Sequence, residues 1–223
     1  MAKSPSYHVL VGSRSTEKGN DAIKQLQSRN LAGTAELIAL DVTNDETIEQ
    51  AAATVQREHG KLDILVNNAA IAALTPPLRQ QMRDAFDVNA TGPAIVTSAF
   101  APLLKQSTGT ARIINVSSGA GSIARRLDTT SPSALHNRHV VQYRASKAAL
   151  SMVTACDWVE YGPAIKVFAY CPGFTVSNLG PQNKAEHGAK PTAEAVMPLI
   201  DVLEGKRDGE AGLFLHNTGI YPW

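Results

Sequence analysis

Short apolar runs, each followed by a stretch of helical periodicity, constrain this chain more than any other feature. They are His8–Ser13, Ala35–Leu40, Leu62–Val66, Arg112–Val116 and Ile165–Tyr170, with a last short run at Leu213–Leu215. Runs of this length bounded by polar residues suit strands buried on both faces. A polar helix is expected from Glu17 to Arg29. The next helix can be capped by Asn44 or Asp45. It carries Ile48, Ala52 and Val55 at helical spacing and stops at Gly60. A long helical stretch runs from Leu78 to Leu104, bent or interrupted at Pro93 and Pro102. A further helix extends to Tyr161 and ends at Gly162-Pro163. The last, Ala193–Leu203, is capped by Thr192 and stopped by Gly205. Strands alternating with helices predict an α/β fold: a doubly wound, Rossmann-like, mostly parallel sheet in a single domain over residues 1–223.

Charge narrows the partners. Lys+Arg total 21 and Asp+Glu 20, for a net charge of +1, and no basic block stands out. Nucleic acid and acidic membrane surfaces are therefore not expected partners. No run approaches membrane-spanning length, and no apolar signal core is seen. Cys156 and Cys171 lack CxxC spacing and read as reduced thiols, which points to a cytoplasmic setting.

Tyr143 and Lys147 stand four residues apart in a helical segment, on one helix face. An ammonium near a phenol favours the phenolate, so Lys147 is expected to lower the Tyr143 pKa from its ordinary value of about 10. A tyrosine so tuned can pass a proton to or from a carbonyl or alcohol oxygen. Ligands of open α/β sheets bind beyond the carboxyl ends of the strands. Arg14, Asp41, Asn67 to Ala70, Ser118 and Pro172-Gly173 all fall there.

With these elements in place the chain resembles a short-chain dehydrogenase/reductase of the carbonyl-reductase type. The matching residues are Asp41-Val42, Asn67-Asn68-Ala69-Ala70, Val88-Asn89-Ala90-Thr91-Gly92, Asn115-Val116-Ser117-Ser118, Tyr143-Arg144-Ala145-Ser146-Lys147 and Cys171-Pro172-Gly173, in the family's order. The resemblance implies an NADP(H)-dependent oxidoreductase acting on a small-molecule carbonyl or alcohol, associating through its long helices as a homo-oligomer. Tyr143 would be the general acid/base, and Lys147 would tune it and hold the nicotinamide ribose. Ser118 would bind the substrate oxygen, and Asn89 would hold a water relaying protons to Lys147. Asp41 and Val42 would meet the adenine, Asn68 and Ala69 the adenosine side, and Pro172, Gly173, Thr175 and Ser177 the nicotinamide end. Structural readings stand beside two of these roles: Asn89 can bind backbone at a helix kink, and Ser118 can cap a turn. Arg14 follows the first strand, where a guanidinium suits a 2′-phosphate and favours NADP(H) over NAD(H).

One family feature is not found in these 223 residues: a first strand with a glycine-rich turn cradling the pyrophosphate. Met1 to Tyr7 resembles the tail of the family's first helix. Two expectations follow. Cofactor affinity should be weakened, and the strands at His8–Ser13 and Leu62–Val66 should either pair directly or leave a gap filled by something else, such as a partner chain. Weakened cofactor binding leaves an alternative: cofactor-free acid/base chemistry (an isomerase, dehydratase or cyclase) or a non-catalytic partner subunit. Residues 122–140 look like an insert near the substrate mouth. Its Arg125, Arg126, Arg138, His136 and His139 would face an acidic or polyphenolic substrate or form a solvated loop. His136 and His139 have no convergent third ligand, so no metal is expected. Residues 174–190 look like a substrate lid. Trp158 and Trp223 read as packing residues.

Overall fold

The computed structural model describes residues 7–75, 77–128, 130 and 140–223. The chain divides after His59 into two compact units.

In the first unit, β1 (His8–Ser13) pairs in parallel with β2 (Thr34–Ala39). Helix α1 (Thr16–Gln27) joins them, its first turn capped by the Ser15 hydroxyl, which accepts from the Lys18 N–H at 3.3 Å. Helix α2 (Asp45–His59) follows, with Asn44 Oδ1 accepting from the Thr47 N–H. Its buried stripe is Ile48, Ala51 and Val55, so Ala51 takes the inward place expected of Ala52. Gly60 follows at φ +71, a conformation that lets the helix stop there.

The second unit holds a five-stranded sheet in sequence order: β3 (Ile64–Asn67), β4 (Ala111–Val116), β5 (Ile165–Cys171), β6 (Phe214–His216) and β7 (Gly219–Tyr221). The first four strands are parallel, and β7 returns antiparallel on β6. This closing hairpin was not expected beyond its first strand. Among the described residues β1 pairs only with β2, in the first unit, and β3 only with β4, in the second.

The stretch from Leu78 to Leu104 is not one bent helix. Helix α3 (Leu78–Phe86) passes through a π-helical segment, Asp87–Thr91, into α4 (Gly92–Leu104). The break precedes Pro93, which sits in the first turn of α4 where no N–H is needed, and α4 runs on through Pro102. Helix α5 (Ile123–Leu127) is short. The long α6 (Val141–Tyr161) crosses back to β5, and α7 (Thr192–Leu203) precedes β6. Thr192 does not cap α7. Its hydroxyl donates instead to the Val176 carbonyl, and Pro191 takes the cap position.

Helices cover both faces of this sheet. On one face Ile113 of β4 and Ile165 and Val167 of β5 pack with Ala101 and Leu104 of α4, Tyr161 of α6 and Trp158. Burying each such aliphatic side chain contributes about 1.5–3 kcal/mol. On the other face Tyr170 is fully buried and its hydroxyl donates to Ala195 of α7. Trp223 stacks on Phe214 at 5.5 Å, so both tryptophans serve packing. Both cysteines are free thiols.

Gly121 shows how closely α6 approaches the end of β4. A Cβ there would lie 2.7 Å from the Lys147 carbonyl carbon and 2.8 Å from the Ala148 nitrogen. Gly121→Ala therefore forces backbone apart, and denaturant unfolding should show a loss of about 1–3 kcal/mol. An unchanged midpoint would show that the approach is not tight.

Candidate active site

Ser118 stands just past β4, and its hydroxyl does two things. It accepts from the Ala120 N–H at 3.2 Å, capping the 3₁₀ turn Gly119–Gly121, and it pulls the Tyr143 phenol's pKa downward. The turn-cap reading and the site reading are therefore compatible. The turn is short because Gly121 must pass under the Lys147 backbone.

Tyr143 and Lys147 lie in the first turns of α6, on one face as their spacing predicts. The Lys147 Nζ is 5.9 Å from the Tyr143 ring centroid. Lys147 is only 2% exposed, and its ammonium donates to the Val116 carbonyl at 2.7 Å. Burial pushes the ammonium down to about 8, while Cys171 pulls it up. The expected lowering of Tyr143 by Lys147 is not seen. Burial pushes the phenol up to about 12, and the downward pull on it comes from the Ser118 hydrogen bond. The physical reason is burial of the ring, which penalises the phenolate more than any other influence on it.

The side chain of Asn89 is fully buried in the π-helical segment. Its Oδ1 accepts from the Ile71 N–H, and its Nδ2 donates to the Ile71 carbonyl and to Ser146 Oγ, each at 2.9 Å. The amide is thus taken up in pinning the loop after β3 to α6. Ser146 completes the link by donating to the Tyr143 carbonyl at 2.9 Å. Gln142 Nε2 adds two bonds to the same loop, at Ala72 and Ala73. Any water held by Asn89 would fall to its main-chain carbonyl. Pro93 has no N–H, so that carbonyl is denied the donor four residues on that a regular helix would supply.

Ser146, Gln142 and Cys171 were missed as parts of this constellation. Ser146 sits inside the Tyr143–Lys147 segment at i+3 from the tyrosine, which was the available signal. Cys171 ends β5, and its buried Sγ accepts from the N–H groups of Gly119 and Gly173 at 3.1 and 3.4 Å. Nothing in its sequence spacing placed it beside Tyr143. Beneath the site, Asn67 donates to Thr97 and Asn115, and Asn115 donates to Thr154 and Asp157, tying β3, β4, α4 and α6 with satisfied buried amides. Asn89 and Asn115 head glycosylation sequons, but both are 0% exposed.

The remaining expected residues are described within their own units. In the first unit Arg14 is exposed just past β1. Asp41, just past β2, accepts from the Thr43 N–H at 3.0 Å and hydroxyl at 2.8 Å. Those two bonds, with a smaller pull from Arg14, hold the Asp41 carboxyl below its ordinary value. Val42 is half-buried beside it. In the second unit Asn68 and Ala69 are exposed just past β3, and Pro172, Gly173, Thr175 and Ser177 follow β5.

The segment after them has internal order. Lys190 N–H donates to the Phe174 carbonyl and Val176 N–H to the Lys190 carbonyl, each at 2.9 Å, and Asn183 Nδ2 donates to the Thr175 carbonyl. In the expected insert, Ser122 caps α5, and Arg125 lies over the Tyr221 ring at 4.1 Å, packed on the protein's own surface. Arg138, His136 and His139 lie outside the described residues. No described helix is long and apolar enough to cross a membrane.

Known proteins agree with this arrangement. The family model described as short chain dehydrogenase matches residues 2–188. The short-chain dehydrogenase anuI of Penicillium roqueforti is 37% identical over 203 residues, covering 87% of this chain and 80% of that protein. The short-chain dehydrogenase/reductase tropE of Talaromyces stipitatus is 34% identical over 230 residues, covering 96% and 86%. Among solved structures, an NADPH-bound carbonyl reductase from chicken fatty liver aligns with a TM-score of 0.78 at 26% identity, covering 97% of this chain and 87% of that one. With the sheet order, the Tyr143–Lys147 pair on one helix face and the buried lysine already in view, the chain belongs to the short-chain dehydrogenase/reductase family of oxidoreductases.

Proposed function

We propose that this chain is an NADP(H)-dependent oxidoreductase interconverting a ketone or aldehyde and the corresponding alcohol, with Tyr143 as general acid/base. The observation that carries the reading is the buried Lys147 ammonium 5.9 Å from the Tyr143 ring centroid, on the helix turn that faces the Ser118 end of β4. Family membership weighs toward redox chemistry and against the cofactor-free alternative.

The residues present fit a nicotinamide dinucleotide. Lys147 uses one of its three N–H groups on Val116, leaving two to hold the nicotinamide ribose. Pro172, Gly173, Thr175 and Ser177 would line the nicotinamide end, Asn68 and Ala69 the adenosine side, and Asp41 and Val42 the adenine. The exposed guanidinium of Arg14 would meet a 2′-phosphate, the basis for preferring NADP(H). When bound, the cofactor supplies or accepts the hydride at the substrate carbon.

The protein's own part is orientation and proton transfer. Ser118 donates a hydrogen bond to the substrate oxygen and steadies the charge that develops there. Tyr143, held at about 12, is protonated at neutral pH and poised to give its proton to that oxygen. Lys147, still mostly charged at pH 7, steadies the phenolate left behind. Asn89 would hold, through its main-chain carbonyl, a water that restores the proton. A cytoplasmic setting and a second copy of the chain as partner belong to the same proposal. Met152 and Val159, exposed on α6 at 66% and 81%, support association.

Two outcomes check this reading. Tyr143→Phe keeps the ring and removes the proton, so ketone reduction with NADPH should fall by about 10²–10⁴-fold while the circular dichroism spectrum stays unchanged. Full activity in that variant would remove the acid/base assignment. Lysine Cε chemical shifts followed against pH should show Lys147 titrating at about 8 in place of 10.5. The unfolded chain then binds more protons between those values, so this residue's contribution to stability rises with pH across that window. A midpoint at the ordinary 10.5 would contradict the buried placement.

A further inference from the structure

The first unit carries a cluster that plays no part in the proposed chemistry. His8 opens β1, Glu36 lies in β2, and His59 ends α2. His8 is in register with Thr34, and in paired parallel strands Thr34 and Glu36 share its face. Both imidazoles aim at one carboxylate oxygen: His59 Nε2 stands 2.7 Å and His8 Nε2 3.4 Å from Glu36 Oε1. The two rings lie 5.2 Å apart between centroids. The three potential ligand atoms all fall within 4.8 Å of one another.

We propose that His8, Glu36 and His59 form a binding site for a divalent transition metal, zinc being the ion their chemistry fits best. Two neutral imidazole nitrogens and a carboxylate are a zinc donor set, and a water completes the tetrahedron. A second observation supports the geometry. His8 Nδ1 is bonded to Thr34 Oγ1 at 2.6 Å, which fixes the ring and leaves Nε2 facing Glu36. Metal-bound histidines are held by such an outer partner in the same way. A simple surface ion pair needs one imidazole on the carboxylate, whereas here two from separate elements converge on it. Zinc bonds of about 2.0–2.2 Å set tetrahedral donors about 3.3 Å apart; His8 and Glu36 already stand at 3.4 Å, while His59 and Glu36, at 2.7 Å, would open to admit the ion. The ion would pin the start of β1, the middle of β2 and the end of α2, and so brace a two-stranded sheet. In the first unit Arg14 and Asp41 lie past the opposite, carboxyl ends of the strands, so the bound ion would be structural and independent of the redox reading.

The test is calorimetric titration of the EDTA-treated, dialysed 223-residue chain with zinc chloride, beside thermal unfolding with and without zinc. One zinc per chain should bind and raise the unfolding temperature. His59→Ala, at an exposed helix end where folding is not at risk, and Glu36→Gln should each weaken binding by at least about tenfold. The double variant His136→Ala/His139→Ala should bind as the parent does. Absence of saturable binding, binding that survives His59→Ala, or binding lost only in the His136/His139 variant would overturn the proposal.

Discussion

The Lys147 ammonium donating to the Val116 carbonyl at 2.7 Å is the bond on which the site depends. A lysine 2% exposed is costly to bury, and one strand-end carbonyl is what meets it. That bond fixes the entry of α6 over the end of β4, which in turn sets Tyr143 against Ser118. The same closeness explains Gly121, whose missing side chain lets the turn after β4 slide under the helix backbone. Packing and chemistry are therefore not separable here. The lysine that would assist proton transfer also positions the element carrying the tyrosine.

The neighbouring loop is held by a second set of bonds. Asn89 clamps both backbone groups of Ile71, Ser146 joins Asn89 to the Tyr143 carbonyl, and Gln142 reaches Ala72 and Ala73. A π-helical segment delivers Asn89 to that place, with Pro93 opening the next helix. The departure from regular helix is thus what turns a buried asparagine toward the loop.

Much of this was legible in the sequence because its signals are local. Each strand run, the i, i+4 pair and the Gly60 and Gly162 stops depend on neighbours in the chain, and the structure shows them where the pattern put them, within a residue or two. The misses have a common cause. The π-helical segment, the unused cap at Thr192 and the β7 hairpin are decided by tertiary partners, which periodicity does not report. The direction of the Tyr143 shift failed for the same reason. Spacing showed that Lys147 shares its face, but only the packing around the ring shows how far burial raises the phenol. Cys171, and the triad of His8, Glu36 and His59, assemble from separate elements and leave no mark at short range.

The account turns on whether these 223 residues engage a phosphorylated nicotinamide dinucleotide without a glycine-rich turn among them. The direct measurement is a calorimetric titration of the folded chain with NADPH, with NADH as the comparison. Saturable one-to-one binding, weaker than in a relative that carries the turn but stronger for NADPH than for NADH, is the predicted result. A cooperatively folded chain that binds neither nucleotide would contradict the redox assignment and leave Ser118, Tyr143 and Lys147 to cofactor-free acid/base work.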